Sequence, residues 1–172
     1  MKKNITIAFM ILAFFTLQST FFQKVTLGGI GPNLMIILTS SFGFMRGKKN
    51  GMLIGFFSGL LYDVFFGDAL GFYALIYMYI GYMNGSFRKI FYPQDIKLPL
   101  ILIAASDLAY CVVTYCLLFL LRGRFDIGFY FINIILPEIV YTLAITIVFY
   151  PIILRINKWF DQPAKRSDPK FV

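Results

Sequence analysis

The sequence predicts an all-α integral membrane protein, with six transmembrane helices packed into one compact bundle. Of the 172 residues, 59% are hydrophobic and only 14% are charged, whereas about 25% are charged in an ordinary soluble domain. The apolar residues form six stretches, and the cations collect between and after them. A soluble domain of this size leaves about 30% of its unfolded surface exposed, so it could not bury so much apolar surface.

The charged residues between the second and third stretches favour six full crossings of the bilayer over a re-entrant hairpin. A helix needs about 20 residues to cross about 30 Å of hydrocarbon, and the second and third stretches are short enough to suit a re-entrant hairpin. Such a hairpin would bury Arg46, Lys48 and Lys49 at its tip, at about 2.5–3.5 kcal/mol each near the bilayer centre. The predicted spans are residues 5–22, 30–45, 51–66, 70–87, 98–121 and 129–154.

The distribution of cations predicts the orientation. With six crossings, thirteen cations fall on the side that holds both termini and three fall on the other. The three are Lys24, Arg122 and Arg124. The positive-inside rule then places both termini in the cytoplasm, with residues 155–172 as a basic cytoplasmic tail. The net charge of +8 therefore indicates topology and contact with anionic lipids rather than nucleic acid.

Glycines at a spacing of four residues mark the third and fourth spans. Gly55 and Gly59 share one face of span 3, and Asp63 follows one turn later. Gly81 and Gly85 repeat the spacing in span 4. Small residues at this spacing let helix backbones approach closely in lipid. The pattern predicts either packing within the chain or an interface with another membrane protein.

Two carboxylates are predicted near the bilayer midplane, Asp107 in span 5 and Glu138 in span 6. Pro137 cannot donate a hydrogen bond to the carbonyl of Asn133, so a kink and a free acceptor are expected there. One interpretation is a buried polar clamp between the two spans. The other is a site that handles protons or a ligand, since ionisable residues inside a membrane are usually functional.

The sequence carries no pattern typical of an enzyme. The absence of His excludes Ser-His-Asp and Cys-His catalysis and His-ligated metal sites. Neither a D-x-x-D pair for divalent metal nor a phosphate-binding glycine loop occurs. Cys111 and Cys116 are five residues apart, about 500° of helix rotation, so they face apart and each is expected only to pack. No catalytic, cofactor-binding or metal-ligating residue is predicted.

An ordered series of motifs runs through the first half of the chain. The motifs are Leu27-Gly28-Gly29-Ile30-Gly31-Pro32-Asn33-Leu34, Gly51, Gly55-Phe56, Gly59-Leu60-Leu61-Tyr62-Asp63, Gly67, Leu70-Gly71 and Ile80-Gly81-Tyr82. Within the series, Gly31 and Asn33 suit a turn that leads into span 2, and Pro32 suits the first turn of that helix. This series resembles the MreD family of bacterial rod-shape-determining membrane proteins.

The resemblance implies a non-enzymatic member of the cell-elongation machinery in the cytoplasmic membrane. Its implied partners are MreC, the MreB filament, and RodA with its class B penicillin-binding protein. The resemblance also implies that the protein helps couple filaments to side-wall peptidoglycan synthesis. A glycine-lined groove at Gly55 and Gly59 is the expected site for the MreC transmembrane helix.

The alternative function is a substrate-capture subunit of an energy-coupling-factor transporter, a family of small six-span proteins whose fold is thought to be related. Under that interpretation the midplane carboxylates bind a vitamin-like solute. The sequence lacks a clear A-x-x-x-A motif of the kind such subunits present to their coupling partner. Neighbouring genes discriminate the two: genes for MreB and MreC support the shape role, and genes for an ATPase support transport.

Overall fold

The computed structural model describes residues 2–26, 29–67, 69–90, 96–118 and 127–161, and every regular element in these ranges is a helix. A π-helical stretch at Leu17–Phe21 continues α1, and another at Phe131–Ile135 joins α6 to α7. A 3-10 turn at Phe87–Lys89 follows α4. The helices are α1 Lys2–Thr16, α2 Leu34–Arg46, α3 Lys48–Phe66, α4 Phe72–Ser86, α5 Lys97–Leu118, α6 Ile127–Tyr130 and α7 Leu136–Asp161.

Each of the six predicted stretches overlaps one of the long helices, although most boundaries differ by several residues. Helix α2 begins at Leu34 instead of residue 30, because Asn33 caps it. Helix α7 continues to Asp161, so the first part of the predicted basic tail is helical. The charged loop predicted between the second and third spans is a single residue, Gly47, whose φ of 89° favours glycine. Residues 119–121 of the predicted fifth span lie outside the described residues.

Helix length alone does not establish six crossings. Two helices in the described ranges are long and apolar enough to cross a membrane, Lys97–Leu118 and Gly128–Trp159. Ile5–Phe21 and Leu34–Arg46 are apolar but shorter. The 13 residues of α2 span about 20 Å, well short of the roughly 30 Å of hydrocarbon in a bilayer. The six-span topology therefore stays a prediction.

Helix α2 is the axis of the bundle. Every residue from Leu34 to Met45 is buried, and α1, α3, α4, α5 and α7 all pack against it. Its sequence is apolar or small on every side, which is the pattern of a helix that is enclosed by others. The other long helices carry exposed large apolar side chains, a pattern typical of surfaces that face a membrane or a partner.

Helices α3 and α4 pack with their backbones in contact. A Cβ atom at Gly55 would meet the backbone carbonyl of Tyr77, and one at Gly81 would meet that of Gly51. At Gly59 an added Cβ would lie 2.5 Å from the Cα of Ala74. Only glycine permits this approach. The face that was expected to form a groove for a partner helix is filled by α4 of the same chain.

We expect Gly55→Ala to destabilise the protein, because the new methyl group would meet the backbone of α4. Overpacking of this kind costs about 1–3 kcal/mol. The measurement is the fraction of purified protein that remains monodisperse in detergent after heating. Gly128→Ala is the matched control, since nothing lies within 4 Å of a Cβ at that position. Equal thermal stability of the two variants would contradict this packing.

Candidate functional site

Asp63 is the N-terminal cap of α4, although it belongs to α3. Its side chain is only 1% exposed, and its carboxylate accepts hydrogen bonds from the backbone N–H groups of Gly71, Tyr73 and Ala74 at 3.0, 2.8 and 2.9 Å. A negative charge at this position satisfies N–H groups that lack partners within the helix and complements the helix dipole. Asp63 therefore connects the end of α3 to the start of α4.

Asn33 caps α2 and joins three helices. Its Oδ1 accepts hydrogen bonds from the N–H of Ile36 at 3.2 Å and from the hydroxyl of Tyr77 on α4 at 3.0 Å. Its own N–H donates to Oγ1 of Thr142 on α7 at 3.1 Å. We call this end of the molecule, where Asn33 and Asp63 cap α2 and α4, the capped end.

Gly31 and Pro32, from the same motif, directly precede this cap. Pro32 lies one residue before Asn33, and therefore outside the first helical turn in which the sequence analysis placed it. A Cβ atom at Gly31 would lie 3.3 Å from the carbonyl oxygen of Phe22. The motif thus passes close to the backbone that follows α1.

A cavity of about 400 Å³ opens at the capped end. Its walls come from the residues that follow α1, the motif before α2, the end of α3, and single residues of α5 and α7. The lining residues are Gln18, Ser19, Phe22, Gln23, Thr26, Gly29, Ile30, Gly31, Pro32, Asn33, Tyr62, Phe66, Tyr110 and Glu138.

The two predicted midplane carboxylates meet between α5 and α7. Ligand atoms of Asp107, Cys111 and Glu138 all lie within 4.8 Å of one another. Asp107 is 0% exposed, and neither of its oxygens meets hydrogen-bond geometry with a partner among the described residues. The hydroxyl of Thr142 lies next to this carboxylate. The thiol of Cys111 lies within 4.8 Å of a carboxylate oxygen of Glu138. The sequence left the meeting of these carboxylates open, and the structure brings them together.

Asn133 and Pro137 lie on the same helix but take no part in this cluster. Asn133 is exposed, and its side-chain amide donates to the carbonyl of Phe129 at 2.9 Å. The irregularity predicted at Pro137 takes the form of the π-helical stretch Phe131–Ile135, which ends just before the proline. A missing N–H in a helix is commonly accommodated by such a widened turn.

Another buried polar contact joins α4 to α5 and α2. The side-chain amide of Asn84, on α4, donates to Oγ of Ser106 on α5 at 2.6 Å and approaches Oγ of Ser40 on α2 at 3.4 Å. The sequence analysis did not single out Asn84. Its position between Gly81 and Gly85, on a face that packs closely, is the signal that would have indicated it.

The opposite end of the bundle is basic, and we call it the basic end. There Nε of Arg46, the last residue of α2, donates to Oδ1 of Asn157 on α7 at 2.7 Å. The ammonium group of Lys48, the first residue of α3, lies 5.0 Å from the centre of the Tyr82 ring. Helix α2 is therefore joined to α7 by a hydrogen bond at each of its ends.

The comparisons with known proteins identify the family. The family model described as rod shape-determining protein MreD matches residues 1–158 of the chain. The chain belongs to the MreD family. MreD proteins are membrane proteins with a role in determining rod shape. The match extends past the motifs of the first half and includes the helices that carry Asp107 and Glu138. Neither a curated protein nor a solved structure shows significant similarity to the chain.

Sequence reasoning did not predict a role for three residues of the capped end. Cys111 follows Asp107 by four residues, and Thr142 follows Glu138 by four. Residues at this spacing share a helix face. The spacing could therefore have indicated that Cys111 and Thr142 each lie beside a carboxylate. Tyr77 carried no such signal, because its partner Asn33 lies 44 residues away in the sequence.

We expect Asn33→Ala and Tyr77→Phe to be non-additive in this MreD protein, because both remove the same buried hydrogen bond. Each single change should lower the free energy of unfolding, and the second change should cost less once the first is made. Directly contacting residues show coupling of about 0.5–3 kcal/mol. Thermal unfolding of the four variants in detergent measures it. Strictly additive losses would show that the hydrogen bond does not form.

Proposed function

We propose that this MreD protein is a non-enzymatic membrane component of the bacterial cell-elongation complex. In this proposal it crosses the cytoplasmic membrane six times, binds MreC, and helps couple MreB filaments to side-wall peptidoglycan synthesis by RodA and its class B penicillin-binding partner. The observation that carries the proposal is the family match over residues 1–158. The transporter alternative finds no support in the comparisons.

The arrangement of charges supports an orientation with the basic end in the cytoplasm. Cations that terminate or begin five helices gather there, and Lys24 is the single cation of the described residues near the capped end. This asymmetry agrees with the positive-inside rule, and in the proposed orientation the basic side chains would lie beside anionic headgroups. The cations at the basic end are Arg46, Lys48, Lys49, Arg88, Lys89, Lys97, Arg155 and Lys158.

The polar residues of the described bundle support a scaffold role. Asp63, Asn33 and Asn84 each make hydrogen bonds that connect one helix to another. Such contacts hold a particular helix arrangement in lipid, where apolar side chains gain little by leaving the lipid tails. A rigid bundle of this kind is suited to present a constant surface to partner proteins.

With the glycine face filled by α4, the proposed site for the MreC transmembrane helix moves to the groove between α1 and α3. This groove has a volume of about 390 Å³ and runs along both helices. Its apolar lining suits a single transmembrane helix, and the small side chain of Ala8 leaves room for close approach. The lining residues are Ile7, Ala8, Ile11, Leu12, Asn50, Leu53, Ile54, Phe57 and Leu61.

Ala8→Trp should weaken binding to MreC, because the indole ring would fill the groove. A steric clash of this kind costs about 1–3 kcal/mol. We therefore expect roughly a tenfold or greater loss of the MreC that co-purifies with tagged MreD. Ala105→Trp provides the same substitution at an exposed position on α5, outside the groove, and should leave co-purification unchanged.

Two outcomes would count against the proposal at different levels. Normal MreC recovery with Ala8→Trp would show that the groove is the wrong site. Depletion of the protein from a rod-shaped host should produce round cells, and growth as normal rods after depletion would contradict the shape role itself.

A further inference from the structure

The cluster between α5 and α7 has the composition of a metal site. We propose that Asp107, Cys111 and Glu138 bind a divalent cation of borderline softness, of the Zn²⁺ type. Asp107 and Cys111 are one helical turn apart on α5, and Glu138 faces them from α7. This proposal goes beyond the scaffold role and stands independently of MreC binding.

The state of Asp107 is the first argument. Its carboxylate is fully buried and neither oxygen has a hydrogen-bond partner among the described residues. A buried carboxylate without partners is costly, and native proteins pair such groups or use them to coordinate metals. A cation between Asp107 and Glu138 would satisfy both carboxylates at once.

The chemistry of the three ligands selects the class of cation. Mg²⁺ and Ca²⁺ take oxygen ligands and have little affinity for a thiolate. Zn²⁺ binds carboxylate oxygen and Cys sulfur together, in tetrahedral geometry. Three protein ligands leave the fourth position for water or another ligand.

The separation of the ligand atoms suits such an ion after small rotations of the side chains. Ligands about 2.0–2.3 Å from a tetrahedral ion lie about 3.3–3.5 Å from one another. The atoms of Asp107, Cys111 and Glu138 lie within 4.8 Å of one another. Each therefore needs to move by an ångström or less, which a change of side-chain torsion supplies.

The cavity at the capped end provides a route to the cluster. Glu138 lines that cavity, together with Tyr110 of α5. A hydrated cation can therefore reach one ligand directly, without passing through the apolar faces of the bundle. Binding would join α5 to α7 just below the Asn33–Thr142 hydrogen bond.

The test uses full-length protein in detergent, stripped with a chelator and then titrated with Zn²⁺ and, as a spectroscopic probe, Co²⁺. We expect one ion per chain by elemental analysis after desalting, and a thiolate-to-Co²⁺ charge-transfer band. Asp107→Asn, Cys111→Ser and Glu138→Gln should each reduce the stoichiometry to near zero. Cys116→Ser is the matched control, because Cys116 is not in the cluster, and it should bind like the unaltered protein.

Measurements on the unaltered protein are sufficient to refute the proposal, so the test does not depend on the folding of any variant. Absence of stoichiometric Zn²⁺, or absence of the charge-transfer band with Co²⁺, refutes the site. Equal loss of the band in Cys116→Ser and Cys111→Ser would also refute it. Recovery of MreC with Cys111→Ser, measured in parallel, separates this result from the scaffold role.

Discussion

The enclosure of α2 is the constraint on which the rest of the structure depends. A helix buried along its whole length, from Leu34 to Met45, must be surrounded by several others. In lipid there is little hydrophobic force to bring those helices together, so close packing and polar contacts must hold them. The chain supplies polar contacts at both ends of α2, through Asn33 at the capped end and Arg46 at the basic end.

Gly55, Gly81 and Asp63 allow α3 and α4 to pack together beside α2. Gly55 and Gly81 bring the backbones of α3 and α4 into contact, so these two helices form a closely packed pair. The pair packs against one side of α2. The cap from Asp63 aligns the start of α4 with the end of α3. Because α3 and α4 fill each other's glycine faces, those faces are not open to a partner helix. The proposed partner surface is therefore on the outer helix faces, at the groove between α1 and α3.

Sequence reasoning predicted those features of this MreD protein that depend on local pattern. The apolar stretches located the helices, and the four-residue spacing of Gly55 and Gly59 indicated close packing. It did not predict which helix fills the glycine face or that α2 lies at the centre. Those depend on contacts between distant residues, such as Asn33 with Thr142, 109 positions apart. The proposed role of Cys111 needed the same kind of information, since Glu138 approaches it from another helix.

Lipid exposure of individual side chains tests the central position of α2 most directly. In a Trp159→Phe background, which removes the chain's one Trp, Phe42→Trp and Leu53→Trp place single Trp residues at similar distances from the basic end. Phe42 is 0% exposed on α2 and Leu53 is 56% exposed on α3. In vesicles of brominated lipid, the account predicts strong quenching of Trp fluorescence at position 53 and little at position 42. Equal quenching at the two positions would contradict it.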